Sequence, residues 1–238
     1  MEYIQYIPIL TTVLSVIFVI KIGKHYAAKP EARYLLWWTI GVITYGLGTM
    51  TESVNSIFGW SEINLKIWYV VGALLGGAPL AQGTVYLLFS KKTANILTAL
   101  LVIVVITASV FVFLSPVDPS LAADGRLSGK VLEWQWVRLF SPFINTYALI
   151  FLFGGAVFSA WKYYRNRAMR RFLGNVYIAI GALLPGIGGS FTRFGYVEVL
   201  YVTELLGLLC MYVGYMIIRT DKSVSVHAIQ VETIGQPG

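Results

Sequence analysis

Charge, cysteine and histidine are scarce in this 238-residue chain: charged residues make up 12%, and there are one cysteine and two histidines. Charge at about half the roughly 25% usual in soluble domains leaves too little for a solvated globular surface. With Cys210 alone, no intramolecular disulfide can form. His25 and His227 are read as lying in a cytoplasmic loop and in the tail, so no histidine pair is available within the membrane for haem. Nor does any His/Cys cluster have zinc spacing. Gly-x-Ser-x-Gly, Walker and His-Glu-x-x-His sequences are absent too, and no other nucleophile–base arrangement is legible. The sequence therefore predicts neither cofactor nor metal, and enzyme activity ranks behind the readings given below.

In their place are long apolar runs. Hydrophobic residues form 57% of the chain, gathered into stretches at 3–20, 34–51, 65–89, 94–114, 136–160, 172–190 and 197–218. Each holds roughly 17–25 residues, enough at about 1.5 Å rise per residue to cross a hydrocarbon core about 30 Å thick. Backbone amides in lipid must be satisfied inside a helix or a closed barrel. Runs this long, without period-two alternation, suit helices rather than strands of roughly 10 residues. The expected fold is all-α: a seven-transmembrane-helix bundle over 1–218, then a short flexible cytoplasmic tail at 219–238. Such a tail is too short for an output domain of roughly 100 residues.

Basic residues orient the bundle. With the N-terminus outside, Lys21, Lys24, Lys29, Arg33, Lys91, Lys92, Lys162, Arg165, Arg167, Arg170, Arg171, Arg219 and Lys222 are cytoplasmic, 13 of the 18 Lys and Arg. Lys66, Arg126, Lys130, Arg138 and Arg193 fall on the other side or its edge. The positive-inside bias thus places the N-terminus outside and the C-terminus in the cytoplasm, in a plasma (inner) membrane. The net charge of +7 then reflects topology and anionic lipid contact rather than nucleic-acid binding. The first run opens Met1-Glu2 without a basic n-region or a following cleavage site, and reads as a retained anchor. The largest loop, 115–135, contains Pro116, Asp118-Pro119 and Asp124-Gly125 as turn formers, with Trp134 and Trp136 as headgroup-level anchors. It reads as a membrane-surface loop, with a ligand lid as the competing role.

Small and polar residues form stripes inside the membrane. Gly41, Tyr45, Gly48, Glu52 and Asn55 recur at spacings of four and three, on one helix face. Trp68, Gly72, Gly76, Pro79, Gly83 and Tyr86 do the same, with Gln82 beside them. Gly72 and Gly76 are the expected helix-packing pair. Glu204 lies about seven residues into the last run, roughly 10 Å below its outer end. An unpaired carboxylate there costs on the order of 3 kcal/mol, so it should face inward and either pair with a cation or take up a proton. Arg138 and Arg193 are the cations nearest in depth, and Glu52, Asn55, Asn145 and Tyr201 lie at a similar level. The expectation is an outward-facing polar pocket, flanked by kinks at Pro142 and Pro185. The competing expectation is that these side chains form interhelical glue and a structural ion pair.

The stretches 45–52, 68–89 with Pro79 mid-helix, and 170–204 through Leu184-Pro185 resemble the seven-helix sensory region of bacterial membrane histidine kinases. The resemblance implies a sensor, here without its kinase: a stand-alone sensor, a partner subunit or a relative with another role. Microbial rhodopsins share the topology, but the last run holds no lysine for a retinal Schiff base. The leading reading is a receptor-like or accessory protein that binds a small or lipidic ligand and acts through partners. The alternative is a small proton-coupled transporter using Glu204 and Glu52. Expected partners are membrane lipids, a protein at the cytoplasmic face or a second copy of the chain, and no nucleic acid. The orientation is testable: Ser128→Cys, in a background lacking Cys210, is expected to label only from outside the cell, and labelling only from the cytoplasm overturns it.

Overall fold

The computed structural model describes residues 3–122, 125–192 and 194–221. Nine α-helices are present among them: α1 (Ile7–Ala28), α2 (Arg33–Phe58), α3 (Glu62–Trp68), α4 (Ala78–Leu88), α5 (Lys91–Leu114), α6 (Phe140–Ala148), α7 (Gly155–Arg165), α8 (Met169–Thr192) and α9 (Val197–Arg219). A π-turn, Tyr69–Leu74, continues α3 towards α4, and another, Leu149–Gly154, joins α6 to α7. No strand occurs among the described residues; one isolated bridge links Val117 and Leu132.

Six of the helical segments are long and apolar enough to cross a membrane: Ile4–Ala28, Glu62–Leu88, Lys91–Leu114, Gln135–Arg165, Met169–Thr192 and Val197–Arg219. The protein is thus a helical membrane bundle. The 26-residue α2 is long enough but is not among the six. Its glycines, threonines and Glu52, Ser53 and Asn55 dilute its hydropathy, and neighbours cover them: Gly41, Gly48, Thr49, Thr51, Glu52 and Ser53 are all buried. Before its last turn, its exposed apolar residues are reduced to a narrow stripe, Ile43, Leu47 and Met50, at spacings of four and three. The opposite case is α5, whose buried positions Leu101, Val105, Ala108 and Val112 form a single stripe, while Leu100, Ile103, Ile106 and Val110 are exposed.

Helices α1, α2, α4, α7, α8 and α9, with the π-turn after α6, form a closed ring through successive pairs, completed by α9 against α1. The tightest pair is α8 with α9. Gly174, Gly181 and Gly188 recur every seven residues on one, Gly207 and Gly214 on the other, and they meet in antiparallel order. A methyl group on Gly181 would lie 2.5 Å from the Gly207 carbonyl oxygen, and one on Gly207 would lie 2.9 Å from that of Gly181. Gly174, Gly181, Gly207 and Gly214 each face a carbonyl across the interface, a weak attraction repeated along the pair, while Gly188 faces Leu200 and Thr203. Pro185, inside α8, has no N–H for the Gly181 carbonyl, which faces Gly207 instead.

Several expectations need correction. Every apolar run reappears with shifted ends, most of all the first: α1 continues to Ala28, so His25 lies in its last turn, with Nδ1 2.9 Å from the Tyr215 hydroxyl. Long lysine stems near helix ends keep their charge in water while the helix continues, which an apolar-run boundary misses. Pro79 is not mid-helix; it stands in the first turn of α4 after an interruption at 75–77. The proline ring displaces the Leu75 carbonyl four residues back, and Thr44 Oγ1 donates to that oxygen at 3.4 Å. Gly76 falls in this interruption, where a methyl would collide with its own chain's Gly72 carbonyl at 2.5 Å, so it is not an interhelical packing residue. Pro142 sits in the first turn of α6, where a missing N–H costs no helical bond. The tail residues from 222 onward lie outside the described residues.

The glycine seam has a direct test. Gly181→Ala is expected to lower stability in detergent by about 1–3 kcal/mol through overpacking. Gly189→Ala, with open space around it, should leave thermal unfolding unchanged or raise its midpoint, since alanine favours helix by about 1 kcal/mol. Equal effects would mean that the seam does not exist.

Candidate functional site

The site begins with a backbone contact. A methyl on Gly48 of α2 would lie 3.2 Å from the Gly72 Cα, so the two chains touch without side chains between them. One turn along from each glycine stand Glu52 and Trp68. Trp68 Nε1 donates to Glu52 Oε1 at 3.0 Å. Glu52 is only 2% exposed. Its other oxygen receives no N–H or O–H donor, and its carboxyl group lies within hydrogen-bonding reach of that of Glu204 on α9. Oε2 of Glu204 is likewise buried without a donor. The Tyr45 hydroxyl ties the same helices together, donating to the Glu204 backbone oxygen at 2.9 Å. Tyr201, one turn from Glu204, is 8% exposed and lies in the field of both acids.

Two carboxyl groups in contact inside a low-dielectric bundle cannot both be ionised without a counter-ion. Among the described residues the ion pairs are Lys66–Glu62, Arg126–Glu198 and Arg171–Asp221, none of which involves Glu52 or Glu204. The contact therefore requires a proton between the acids, or a cation in its place. No cluster of three His, Cys, Asp or Glu side chains stands among the described residues to ligate a metal, so the site offers two carboxyl groups ringed by Trp68, Tyr45 and Tyr201.

A folded loop covers the pair. Leu127 and Val131 of the 115–135 segment pack on Leu65 with Trp60 and Trp68 around them. Asn55, one turn beyond Glu52, donates through Nδ2 to the Gly125 carbonyl at 3.0 Å. Arg126 donates to the Gly195 carbonyl at 2.9 Å and pairs with Glu198 at 3.1 Å, fixing the loop to the start of α9. The loop is thus a cap rather than a strip of surface, and the site beneath it is covered rather than an open pocket. Of the anchors read in this segment, Trp136 is exposed and stacks on Trp134 at 6.2 Å between ring centres.

The other end of the bundle is shut by apolar packing of Phe18, Ile22, Leu80, Leu152 and Met211. The same end also holds a satisfied polar chain. Tyr147 donates to Gln82, and Gln82 to Thr98 at 2.8 Å and to the Ala94 carbonyl at 3.1 Å. Thr98 bonds to Tyr86, and Tyr86 and Arg33 both donate to Asn95, at 2.8 and 2.9 Å.

Of the expected site residues, Glu52, Tyr201 and Glu204 come together, and Asn55 joins them to the cap. Arg138 does not supply a cation for Glu204: it donates to Gln135 Oε1 at 2.5 Å, one turn away on its own segment. Asn145 binds the Ala73 carbonyl at 3.4 Å and Ser141 Oγ at 3.1 Å, at the interruption between the π-turn and α4. Arg193 lies outside the described residues. The sequence reading missed the donation from Trp68, although its place one turn before Gly72 carried that signal. It also missed the cap's anchors, Arg126 and Glu198. No family model, curated protein or solved structure matches this chain.

Removing one acid distinguishes a carboxyl pair from an ion pair. Glu204→Gln keeps a donor for Glu52 and should unfold within about 1 kcal/mol of the parent, whereas Glu204→Leu should lose about 1–3 kcal/mol. Thermal unfolding in detergent reads the difference. Equal losses would mean that Glu204 is held by a cation instead.

Proposed function

We propose that this protein is a receptor-like or accessory membrane protein that binds a small or lipidic ligand bearing a positive charge at Glu52 and Glu204, and acts through partner proteins. The observation that carries the reading is the contact of two carboxyl groups, each with a buried oxygen that lacks a donor, and with no cation paired to either among the described residues. A cation entering there replaces the shared proton and gains two carboxylates and three aromatic neighbours. In this reading α2 is the seventh span, the N-terminus and cap face outside, and the basic end faces the cytoplasm of a plasma (inner) membrane. Protein partners or a second copy then meet the cytoplasmic face. The resemblance of residues 45–52, 68–89 and 170–204 to the sensory region of membrane histidine kinases agrees with it.

A proton-coupled carrier is the second reading, favoured by one observation: the interruption at 75–77, whose freed Ala73 and Leu75 carbonyls accept from Ser141, Asn145 and Thr44. Broken helices with unwound carbonyls are a carrier device. Against it stand the apolar closure of the basic half and the position of both acids next to the cap.

Phenethylammonium serves as a probe. Calorimetry on the full chain in detergent should show binding with proton release, weakening as pH falls because the proton competes for the same oxygens. Glu204→Gln should weaken it at least about tenfold. Binding that is independent of pH and of Glu204 would sink the reading. In proteoliposomes, amine-driven proton movement across the bilayer would replace the receptor reading with the carrier.

A further inference from the structure

A second feature lies in the opposite half of the bundle. Between α7 and α8 runs a groove of about 490 Å³, walled by Val157, Trp161, Tyr164 and Ile180 over a floor of Ala160 and Ala179. The walls are apolar yet exposed, while the floor is buried. Small residues on the floor make the depth; larger ones would fill it. Almost no polar atom lines the groove, so its body fits hydrocarbon.

Its rim carries the opposite chemistry. Arg165 at the end of α7 and Arg167 in the turn after it are exposed, and neither forms an ion pair among the described residues. The Arg165 guanidinium stands 5.3 Å from the centre of the Trp161 ring, which brings its charge to the edge of the groove wall. Arg167 holds φ +57° in the turn after α7, a left-handed conformation that glycine adopts without strain. Arg171 is differently employed, pairing with Asp221 at 3.1 Å and covering Tyr163 at 5.5 Å. Trp161 and Tyr164 lie where rim meets groove, as aromatic rings do at the level joining acyl chains to headgroups.

We infer that this groove binds one anionic phospholipid, its acyl chains against Ala160 and Ala179 and its phosphate held by Arg165 and Arg167. Two free guanidiniums suit a phosphate through paired N–H donors, and an apolar trough leading from them suits the chains. The site is separate from the carboxyl pair and stands or falls independently of it.

Quenching of Trp161 tests the inference. The full chain in detergent is titrated with phosphatidylglycerol or phosphatidylcholine carrying the same brominated chains, and the Trp161→Phe variant isolates the signal of that residue. Phosphatidylglycerol is expected to quench Trp161 at much lower concentration than phosphatidylcholine. The double variant Arg165→Gln/Arg167→Gln should lose roughly 30-fold in that affinity, from the attraction of two surface cations. Val157→Phe, which fills an exposed wall and leaves the charges in place, should abolish quenching by both lipids while thermal unfolding stays at the parent value. Equal quenching by both lipids in the parent overturns the inference, as does a preference for phosphatidylglycerol that survives the double variant. If lipid never quenches Trp161 and a dimer disappears in Val157→Phe, the groove belongs to a second copy of the chain and the inference is likewise overturned.

Discussion

Close approach of helix backbones governs this bundle. In lipid there is little hydrophobic drive to bring helices together, so contact has to come from packing and from polar groups satisfied between them. The chain meets this with glycine in two places. Along α8 and α9 a seven-residue repeat brings backbone against backbone over several turns. Between α2 and the π-turn a single pair, Gly48 and Gly72, does the same. The first contact fixes the position of α9 and the second fixes that of α3. Glu204 and Trp68 are thereby delivered to Glu52 from two directions, so the acid pair depends on glycines that do not touch it.

The two halves of the bundle use polarity differently. Near the basic end, Gln82 and its partners form a chain in which donors and acceptors answer one another. A satisfied network of this kind rigidifies the helices it joins, here α2, α4, α5 and the end of α6. Near the cap, by contrast, Glu52, Glu204, Asn55 and Trp60 each keep a buried polar atom without a donor or acceptor. Buried polar groups are normally paired; of the five unpaired side-chain atoms among the described residues, only Trp38 Nε1, beside Gly83, stands away from the cap. The interruption at 75–77 lies between these halves, with its free carbonyls taken up by side chains from α2 and α6.

Much of this architecture was legible in the chain, because lipid imposes a length and a composition on any segment that crosses it. The stripe Gly41, Tyr45, Gly48, Glu52 and Asn55 also read correctly as one helix face, since its spacing is local. Partners across the bundle were less legible. Arg138 and Glu204 share a depth in sequence arithmetic, yet depth says nothing of azimuth, and Arg138 turns to Gln135. Glu204 was read as pairing with a cation or taking up a proton, and depth alone did not show that the group facing it is a second acid, Glu52. The seven-residue glycine repeat of α8 and α9 was present in the sequence but is visible only when two segments are read against each other in reverse. Pro79 misled because a proline one turn into a new helix and a proline inside an old one look alike without the interruption before it.

The cap also carries an order of events. Residue 126 is synthesised some seventy residues before Gly195 and Glu198, the groups that hold it down. Before α9 is in place, the loop rests on α2, α3, the π-turn and α5, and the Glu52 carboxyl group has only Trp68 as a donor. The arrival of α9 does two things at once: it brings the second acid, and it brings the groups that hold Arg126. Glu52 therefore gains its facing acid and the anchor of its cover from the same helix, α9.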